Sequence, residues 1–565
     1  MNLNLKATAE NTYDAIVVGS GISGGWAAKE LTEKGLKVLM LDRGHNLEHI
    51  KGYETAMKRP WEIKHRGRLT LEQKRTHPFL TREYPYQETN ASYWFNDLDH
   101  EYTEEQRFDW IRPNIVGGRS IMWGRQSYRF SPMDFEANHK EGIGVDWPIR
   151  YEDLAPWYDY VEQHAGISGS RDGLPQLPDG QFLPPMEMNC VEREVKKGIE
   201  GNFGGRKMII GRVANLTRSH NGRAQCQYRN HCSRGCPYGA YFSTQSGTLP
   251  WAVKTGNLTL RPHSIASEIL YDKDRKRATG VRVIDAQTQE TIDFAARIVF
   301  VNASTVWSAY LLLNSRSDAF PNGLGNDHDQ VGRNLMDHHF RVGAYGDWEG
   351  FEDQHYYGRR ANGIYIPRFR NVGDDKREYL RGFGYQGGAS RKNWQAAVAE
   401  IDFGAELKTA AATPGPWRFG CVSFGECLPY ADNRMYLNRD KLDKWGMPTV
   451  AFDVGFKENE RLMRKDMATD AAEMLEAAGM KNVGTYDQGS YPGASIHEMG
   501  TARMGRDPKT SVLNAHNQVW EVPNVFVTDG AAMASSGCQN PSLTYMALTA
   551  RAADYAVREL NRQNL

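Results

Sequence analysis

The chain has 565 residues, which corresponds to three or four units of roughly 150 residues each. Lys+Arg and Asp+Glu both count 69, so the formal net charge is zero and the basic excess of a nucleic-acid binder is missing. With 14 Trp, 27 Tyr and 21 Phe, only 7 Cys, and no apolar run near the ~20 residues of a spanning helix, the composition excludes disordered, disulfide-scaffold and helical membrane classes and predicts a soluble globular protein.

The opening stretch MNLNLKATAENTYD is polar and lacks the basic, apolar and cleavage-site succession of an export signal, so export would rely on a partner. Tyr13 to Val18 is a short, β-branched apolar run that predicts a buried parallel strand. Gly19-Ser-Gly21-Ile-Ser-Gly24-Gly25 follows, then helical periodicity from Trp26 to Lys34, closed by Gly35. A second buried strand over Leu36 to Leu41, ending at Asp42, completes a βαβ unit. Residues 45–110 are polar and aromatic, with a basic stretch from Lys58 to Arg75, and predict a solvated excursion. Gly117-Gly118-Arg119-Ser120 marks a tight backbone approach, and residues 169–185 predict a long surface connection. Leu258 to Val301 reads as a small antiparallel meander broken at Asp272-Lys-Asp and Ala286-Gln-Thr-Gln; it ends in a buried strand, Val299 to Val301, with a helix over Ser304 to Leu313. Residues 340–480 predict a separate, sheet-based substrate domain. A strand at Val525 to Val527, the pair Asp529-Gly530, and a helix from Pro541 towards Leu560 close the chain.

In Gly19-x-Gly21-x-x-Gly24 the first glycine permits a tight turn, the second lets backbone approach a pyrophosphate, and the third allows close helix–strand packing. Asp42, 18 residues past Gly24, is placed to accept from ribose hydroxyls. Set between strand and helix, the pattern predicts a dinucleotide site without separating NAD from FAD. Three further places favour a flavin. Gly117 to Gly124, with Ser120, Met122 and Trp123, is a small-residue loop able to lie against a flat ring. Asp529-Gly530 offers a carboxylate and a bare amide to the ribityl–phosphate region, and Asn540-Pro541-Ser542 opens a helix whose positive end suits a reduced ring.

Cys226-x5-Cys232-x3-Cys236-Pro237 places three thiols within eleven residues, enough to wrap one inorganic cluster. Three local ligands suit a 3Fe-4S cluster better than a four-iron one; zinc held together with His231, and thiols with no ligand, are the alternatives. Cys190, Cys421, Cys427 and Cys538 are scattered and read as small buried hydrophobes. His338-His339 does not read as a metal pair, since neighbouring side chains point different ways.

On these blocks the chain resembles the glucose–methanol–choline (GMC) oxidoreductases over essentially its whole length. The opening βαβ, the Gly117 to Gly124 loop, the run from Val299 to Asn314, His497-Glu-Met-Gly500-Thr501-Ala-Arg-Met504-Gly505, and Val527-Thr-Asp529-Gly530 with Asn540-Pro541-Ser542-Leu-Thr544 carry the likeness. It implies an α/β fold in which a Rossmann-like FAD-binding domain accompanies a discontinuous α+β substrate-binding domain. The expected parts are 1–135 (FAD domain), 136–210 (connecting, substrate-side segment), 211–340 (cysteine loop and middle of the FAD domain), 341–485 (substrate domain) and 486–565 (FAD-binding and catalytic end). It also implies FAD contacts from Gly19, Gly21, Ser23, Gly24, Asp42, Arg43, Gly117, Gly118, Ser120, Met122, Trp123, Gly124, Ala266, Asp529, Gly530, Pro541 and Ser542.

By the same resemblance His497 is the catalytic histidine and Asn540 its partner. Oxidising an alcohol needs such a pair, because a neutral imidazole takes the hydroxyl proton while a second polar group orients that hydroxyl. Asn before Pro is also a strong helix N-cap, a rival role for Asn540. The closer likeness is to bacterial FAD-dependent sugar dehydrogenases, glucoside 3-dehydrogenases among them. It implies oxidation of a pyranose ring hydroxyl, C3 of glucosides favoured, with electrons passing through the cluster to a cytochrome c. A small chaperone-like subunit carrying the export signal, and thus a periplasmic location, come with it; a cytoplasmic location is the alternative. The rivals are an oxygen-using pyranose or alcohol oxidase, a glucose C1 or gluconate dehydrogenase, and a non-catalytic flavoprotein. Some relatives bond flavin covalently through a histidine where Met122 stands, and a thioether has no such chemistry. Acid denaturation followed by filtration is therefore expected to release yellow FAD; colour retained on the polypeptide would contradict a dissociable cofactor.

Overall fold

The computed structural model describes residues 2–3, 11–354, 360–391, 404–412 and 414–565. Thr12–Val18 is the centre of a parallel sheet ordered Leu258–Arg261, Val38–Leu41, Thr12–Val18, Thr291–Val301 and Val522–Val527. Both faces of its central strand are covered. Ala15 and Val17 pack with Ala27, Ala28 and Leu31 of the helix Ile22–Glu33 and with Ala552, Ala553 and Ala556 of the helix Ser542–Asn561. Ile16 and Val18 join the larger core on the other side. At roughly 1.5–3 kcal/mol for each fully buried aliphatic side chain, two-sided burial favours the central position for this strand.

The first helix begins at Ile22, not at Trp26, so Gly24 and Gly25 lie inside it. Helix propensity argues against glycine there, but packing overrides it: a Cβ on Gly24 would stand 1.9 Å from the Gly19 carbonyl oxygen. Leu258–Arg261 also departs from expectation. It pairs in parallel with Val38–Leu41, and the antiparallel meander starts only at Ser264–Asp272, continuing through Arg277–Asp285 to Thr291–Val301. The two breaks, at residues 273–276 and 286–290, fall at the polar clusters.

A second, six-stranded sheet is antiparallel throughout, ordered Lys481–Asp487, Val342–Trp348, Trp417–Gly425, Phe383–Arg391, Ile364–Ile366 and Ile209–Ile210. Helices Cys190–Asn202 and Glu458–Ala477 cover it through Val191, Val195, Ile199, Met463, Met467 and Met474. Part of 340–480 lies elsewhere: the hairpin Arg434–Leu442 and Pro448–Asp453 pairs with Thr103–Glu104 in a three-stranded sheet, with Phe452 stacked on Phe108 at 4.1 Å. The excursion after residue 45 is only partly solvated. Its basic stretch is exposed, whereas Leu47, Tyr53, Leu80, Tyr86, Tyr93 and Trp94 form a small core of their own. Residues 169–185 carry no helix or strand, yet Leu177 and Leu183 are buried beneath them.

One large cleft opens where the carboxyl ends of the parallel strands face the antiparallel sheet. Val18, Leu41, Asn302 and Asp529 come from the first side, Gln386 and Phe424 from the second.

Candidate active site

The cleft holds about 2010 Å³ of non-protein space, open solvent at its mouth included. Every flavin-contact residue named above lines it except Gly24, Gly117 and Pro541, which stand behind the wall. Three glycine positions explain why. Gly19 adopts φ +93° and a side chain there would strike the Asn302 carbonyl, whereas a Cβ on Gly21 would meet no protein atom within 4 Å. Gly21 therefore leaves space for a ligand, and Gly19 and Gly24 leave space for backbone. Gly118 lies over Gly21, and the Gly117 N–H donates to Ser20 Oγ at 2.7 Å, so the loop is pinned onto the nucleotide turn.

Two helices, Ile22–Glu33 and Ser542–Asn561, present amino termini without a side-chain cap to the same cleft. Their free N–H groups and dipoles suit a pyrophosphate at one end and a negatively charged ring at the other. Ser23 Oγ, Arg43 Nη2 and Asn302 Nδ2 are buried cleft atoms with no protein partner, as a bound polar cofactor requires. The Arg43 guanidinium is held between the rings of Phe95 and Trp307, each centroid 4.5 Å away, and burial lowers its pKa to about 10. Asp42 accepts from the Ser20 N–H at 3.0 Å, from the Ser20 hydroxyl and from the Gly44 N–H at 2.8 Å, and burial raises its pKa. Asp529 is committed to the protein: it accepts from Ser304 N–H, Ser308 Oγ and Ala531 N–H at 2.9, 2.6 and 3.0 Å, locking the turn after the central sheet to the carboxy-terminal segment. Burial pushes its carboxyl up to about 6.

At the far end of the cleft His497 and Asn540 meet, Nε2 to Nδ2, at 3.1 Å. The other imidazole nitrogen, Nδ1, is 2.9 Å from Nδ1 of His338, whose Nε2 is 2.8 Å from the Gly537 carbonyl. A carbonyl only accepts, so His338 carries its proton on Nε2 and offers a bare Nδ1. That nitrogen accepts from His497 Nδ1–H, which leaves His497 Nε2 bare, facing Asn540 and the cleft. Burial, then the neighbouring His338 and Arg119, hold the His497 pKa well below its ordinary value; burial lowers His338 to about 4. Both rings are neutral near neutral pH. Asn540 does not cap the last helix, whose flanking residue is Pro541; its Oδ1 accepts from Gln386 Nε2 at 2.7 Å instead.

His338 and Gln386 are functional-site residues that sequence reasoning did not select. His338 reaches His497 because Met336 and Met499 exchange both backbone hydrogen bonds at 2.9 Å in antiparallel sense, which sets residue 338 opposite residue 497. Its neighbour Asp337 accepts from the N–H groups of Gly493, Ser495 and His497 at 2.8, 3.2 and 2.9 Å, and burial with the Glu498 charge raises its carboxyl to about 7. This clamp holds Ile496 at φ +65°, a conformation that costs a β-branched residue about 1–3 kcal/mol. His339 turns the other way, against Phe456.

Cys226, Cys232 and Cys236 are half-buried, free of disulfides, and line one small cavity with His231, Tyr241 and Asn215. Burial raises the Cys226 thiol pKa. Among the described residues no three His, Cys, Asp or Glu side chains are grouped so as to hold a metal ion, so neither the expected 3Fe-4S cluster nor the zinc alternative with His231 has a formed ligand set. Two non-glycine residues of this loop adopt the left-handed region, Tyr228 at φ +54° and Asn230 at φ +58°. One wall separates this cavity from the large cleft: Tyr241 OH and Arg125 Nη1 both donate to the Trp123 carbonyl, at 3.0 and 2.9 Å. Cys421, Cys427 and Cys538 are buried, and Cys190 is half-buried.

A Rossmann-like sheet, a dinucleotide cleft and a neutral imidazole at its end define a dinucleotide-dependent oxidoreductase. The chain belongs to the GMC oxidoreductase family, whose amino-terminal and carboxy-terminal parts match residues 13–340 and 429–549. It is 31% identical to 2-methyl-1,2-propanediol dehydrogenase of Mycolicibacterium austroafricanum, with 98% of this chain and 97% of that protein covered. It is 26% identical to the fructose dehydrogenase large subunit of Gluconobacter japonicus, over 97% and 98% of the two chains. Among solved structures, a formate oxidase from Aspergillus oryzae RIB40, studied for modification of its FAD, superposes with a TM-score of 0.63 at 13% identity, covering 99% of this chain and all (100%) of that one; this likeness concerns the fold.

Two glycine variants separate packing from cofactor space. Gly24→Ala is expected to destabilise the protein by about 3 kcal/mol, because the added methyl meets backbone. Gly21→Ala is expected to keep the thermal stability of the FAD-free protein and to lose FAD, read as absorbance in the visible after gel filtration. Equal behaviour of the two variants would contradict this assignment.

Proposed function

We propose that the chain is a FAD-dependent dehydrogenase oxidising a ring hydroxyl of a pyranose or glycoside to a ketone, C3 of glucosides preferred. The observation that carries this reading is the pairing of a bare His497 Nε2 with the Asn540 N–H at the end of the cleft. A secondary hydroxyl entering between them breaks the direct Asn540–His497 hydrogen bond, donates its proton to the His497 Nε2 lone pair so released, and accepts from Asn540 Nδ2. FAD, when bound, supplies the two-electron acceptor for the hydrogen leaving the carbinol carbon. As His497 takes the proton, its Nδ1–H, held by His338, keeps the ring in place, and the His338 proton stays on Nε2, donated to the Gly537 carbonyl. The residues that would hold FAD are those of the Gly19–Gly24 turn, Arg43, Asn302, the loop after Gly117 and the start of the last helix.

Polar amides at Gln126, Asn362 and Gln386, beside the rings of Tyr84, Trp123 and Phe424, suit a ligand with both hydroxyls and apolar faces, and the named substrate of the fructose dehydrogenase relative supports a sugar. A vicinal diol is the second reading, favoured by the propanediol dehydrogenase relative. For Cys226, Cys232 and Cys236 the proposal is a 3Fe-4S cluster. The three thiols line one cavity and would hold such a cluster, which would supply one-electron exchange and so favour an external carrier such as a cytochrome c over oxygen. The "large subunit" name of one relative supports a partner subunit; that this partner is small and carries the chain to the periplasm is part of the same proposal.

Anaerobic titration with a panel of sugars, glycosides and diols is expected to bleach the flavin with a pyranoside, the keto product being identified by NMR. His497→Ala is expected to retain FAD and to slow bleaching by about 10²–10⁴-fold. Parental speed in that variant would remove His497 from the reaction. Iron, acid-labile sulfide and an EPR signal are expected in the parent and not in Cys232→Ser; iron-free parent protein purified under anaerobic conditions would end the cluster proposal.

A further inference from the structure

The hydrogen-bond order at His497 does not stop at Asn540. Gln386 Nε2 donates to Asn540 Oδ1 at 2.7 Å, Gln126 Nε2 donates to Gln386 Oε1 at 3.2 Å, and Tyr128 OH donates to Gln126 Oε1 at 2.6 Å. Together with the His497–His338–Gly537 links, the two amides, Asn540, the two imidazoles and the phenol form one chain in which every donor points the same way. Each end is fixed by a group with little choice. Gly537 ends the chain with a carbonyl that can only accept. Tyr128 starts it with a buried phenol whose pKa burial keeps far above neutrality, so its O–H is present throughout the physiological range. Between these ends, turning any single amide over would set two oxygens or two N–H groups face to face.

We propose that Gln386 is a positioning residue for proton transfer at His497: braced by Gln126 and Tyr128, its N–H holds Asn540 Oδ1, so that Asn540 can present only an N–H, and His497 Nε2 only a lone pair, to a bound hydroxyl. Gln386 sits on Phe383–Arg391 of the antiparallel sheet, whereas His497 and Asn540 come from the carboxy-terminal part. The second sheet thus sets the donor–acceptor sense of a site carried mainly by the rest of the chain. Without the Gln386 N–H, the Asn540 amide is free to rotate and to place Oδ1 against both His497 Nε2 and the substrate oxygen, an arrangement that binds the hydroxyl in the wrong sense.

The inference rests on the reading of His497 as the base, and the test separates the two. Gln386→Glu keeps the shape but gives Asn540 a donor only while the carboxyl is protonated. In the parent, the rate of anaerobic flavin reduction is expected to fall only as pH drops far enough to protonate His497. In Gln386→Glu the rate is expected to fall about tenfold as pH rises through the new carboxyl's pKa, and to recover towards the parent on acidification. Gln386→Leu, which offers no donor at any pH, is expected to lose a similar factor without recovery. Both should retain FAD absorbance. If Gln386→Glu does not yield flavin-loaded protein, Gln126→Glu carries the same inversion one link away, since an ionised carboxylate would turn the Gln386 amide over. A Gln386→Glu variant with the parent's rate and pH profile, or with a loss uniform across pH, overturns the inference. If His497→Ala is inactive in that same experiment, the His497 reading stands while Gln386 falls; if His497→Ala reacts at the parental rate, the base assignment itself has failed.

Discussion

The Gly537 carbonyl accepts the His338 N–H, and from that one-way contact the protonation pattern of the site follows. A neutral His338 with its proton committed to Gly537 can only accept from His497; a neutral His497 with its proton committed to His338 can only offer Nε2. Water would relax this order by supplying donors and acceptors on demand. Burial removes water from His338, and desolvation disfavours the charged form of both rings. The same exclusion of solvent that makes a buried imidazole costly to ionise keeps it ready to receive a proton.

Holding this arrangement needs segments far apart in the chain. Asp337 gathers three consecutive-loop N–H groups around Ile496, and the Met336–Met499 backbone pair sets the facing register. Asp529 ties the helix start near Ser304 and Ser308 to the segment that leads into Asn540. The carboxylates near the active end therefore act chiefly on protein backbone, and among the described residues no carboxylate hydrogen-bonds the His497 ring. A base that stays neutral until substrate arrives is the chemical consequence.

Much of the nucleotide half was legible because its constraints are local. Glycine without a side chain, a β-branched run buried on both faces and an uncapped helix start are properties of a few adjacent residues, and they place the cleft correctly. The errors arose where distant contacts decide. Glycines inside the first helix look like a loop until Gly24 meets Gly19 and Gly25 meets Thr244 and Thr248. Leu258–Arg261 looks like part of a meander until Val38–Leu41 offers it a parallel edge. The excursion after residue 45 looks solvated by its charges, although its tyrosines and tryptophans close a core.

The amino-acid sequence by itself determined the family, the βαβ unit, the glycine turn and the identities of His497 and Asn540 as a pair. Only the tertiary structure decided what orients that pair. His338 and Gln386 lie 159 and 154 positions from the residues they hold, and although the His338-His339 pair stands out in the sequence, nothing there points to His497 as its partner. A hydrogen bond is specified by direction as well as proximity, and direction is a property of the folded neighbourhood, where each donor must find an acceptor that no water can replace.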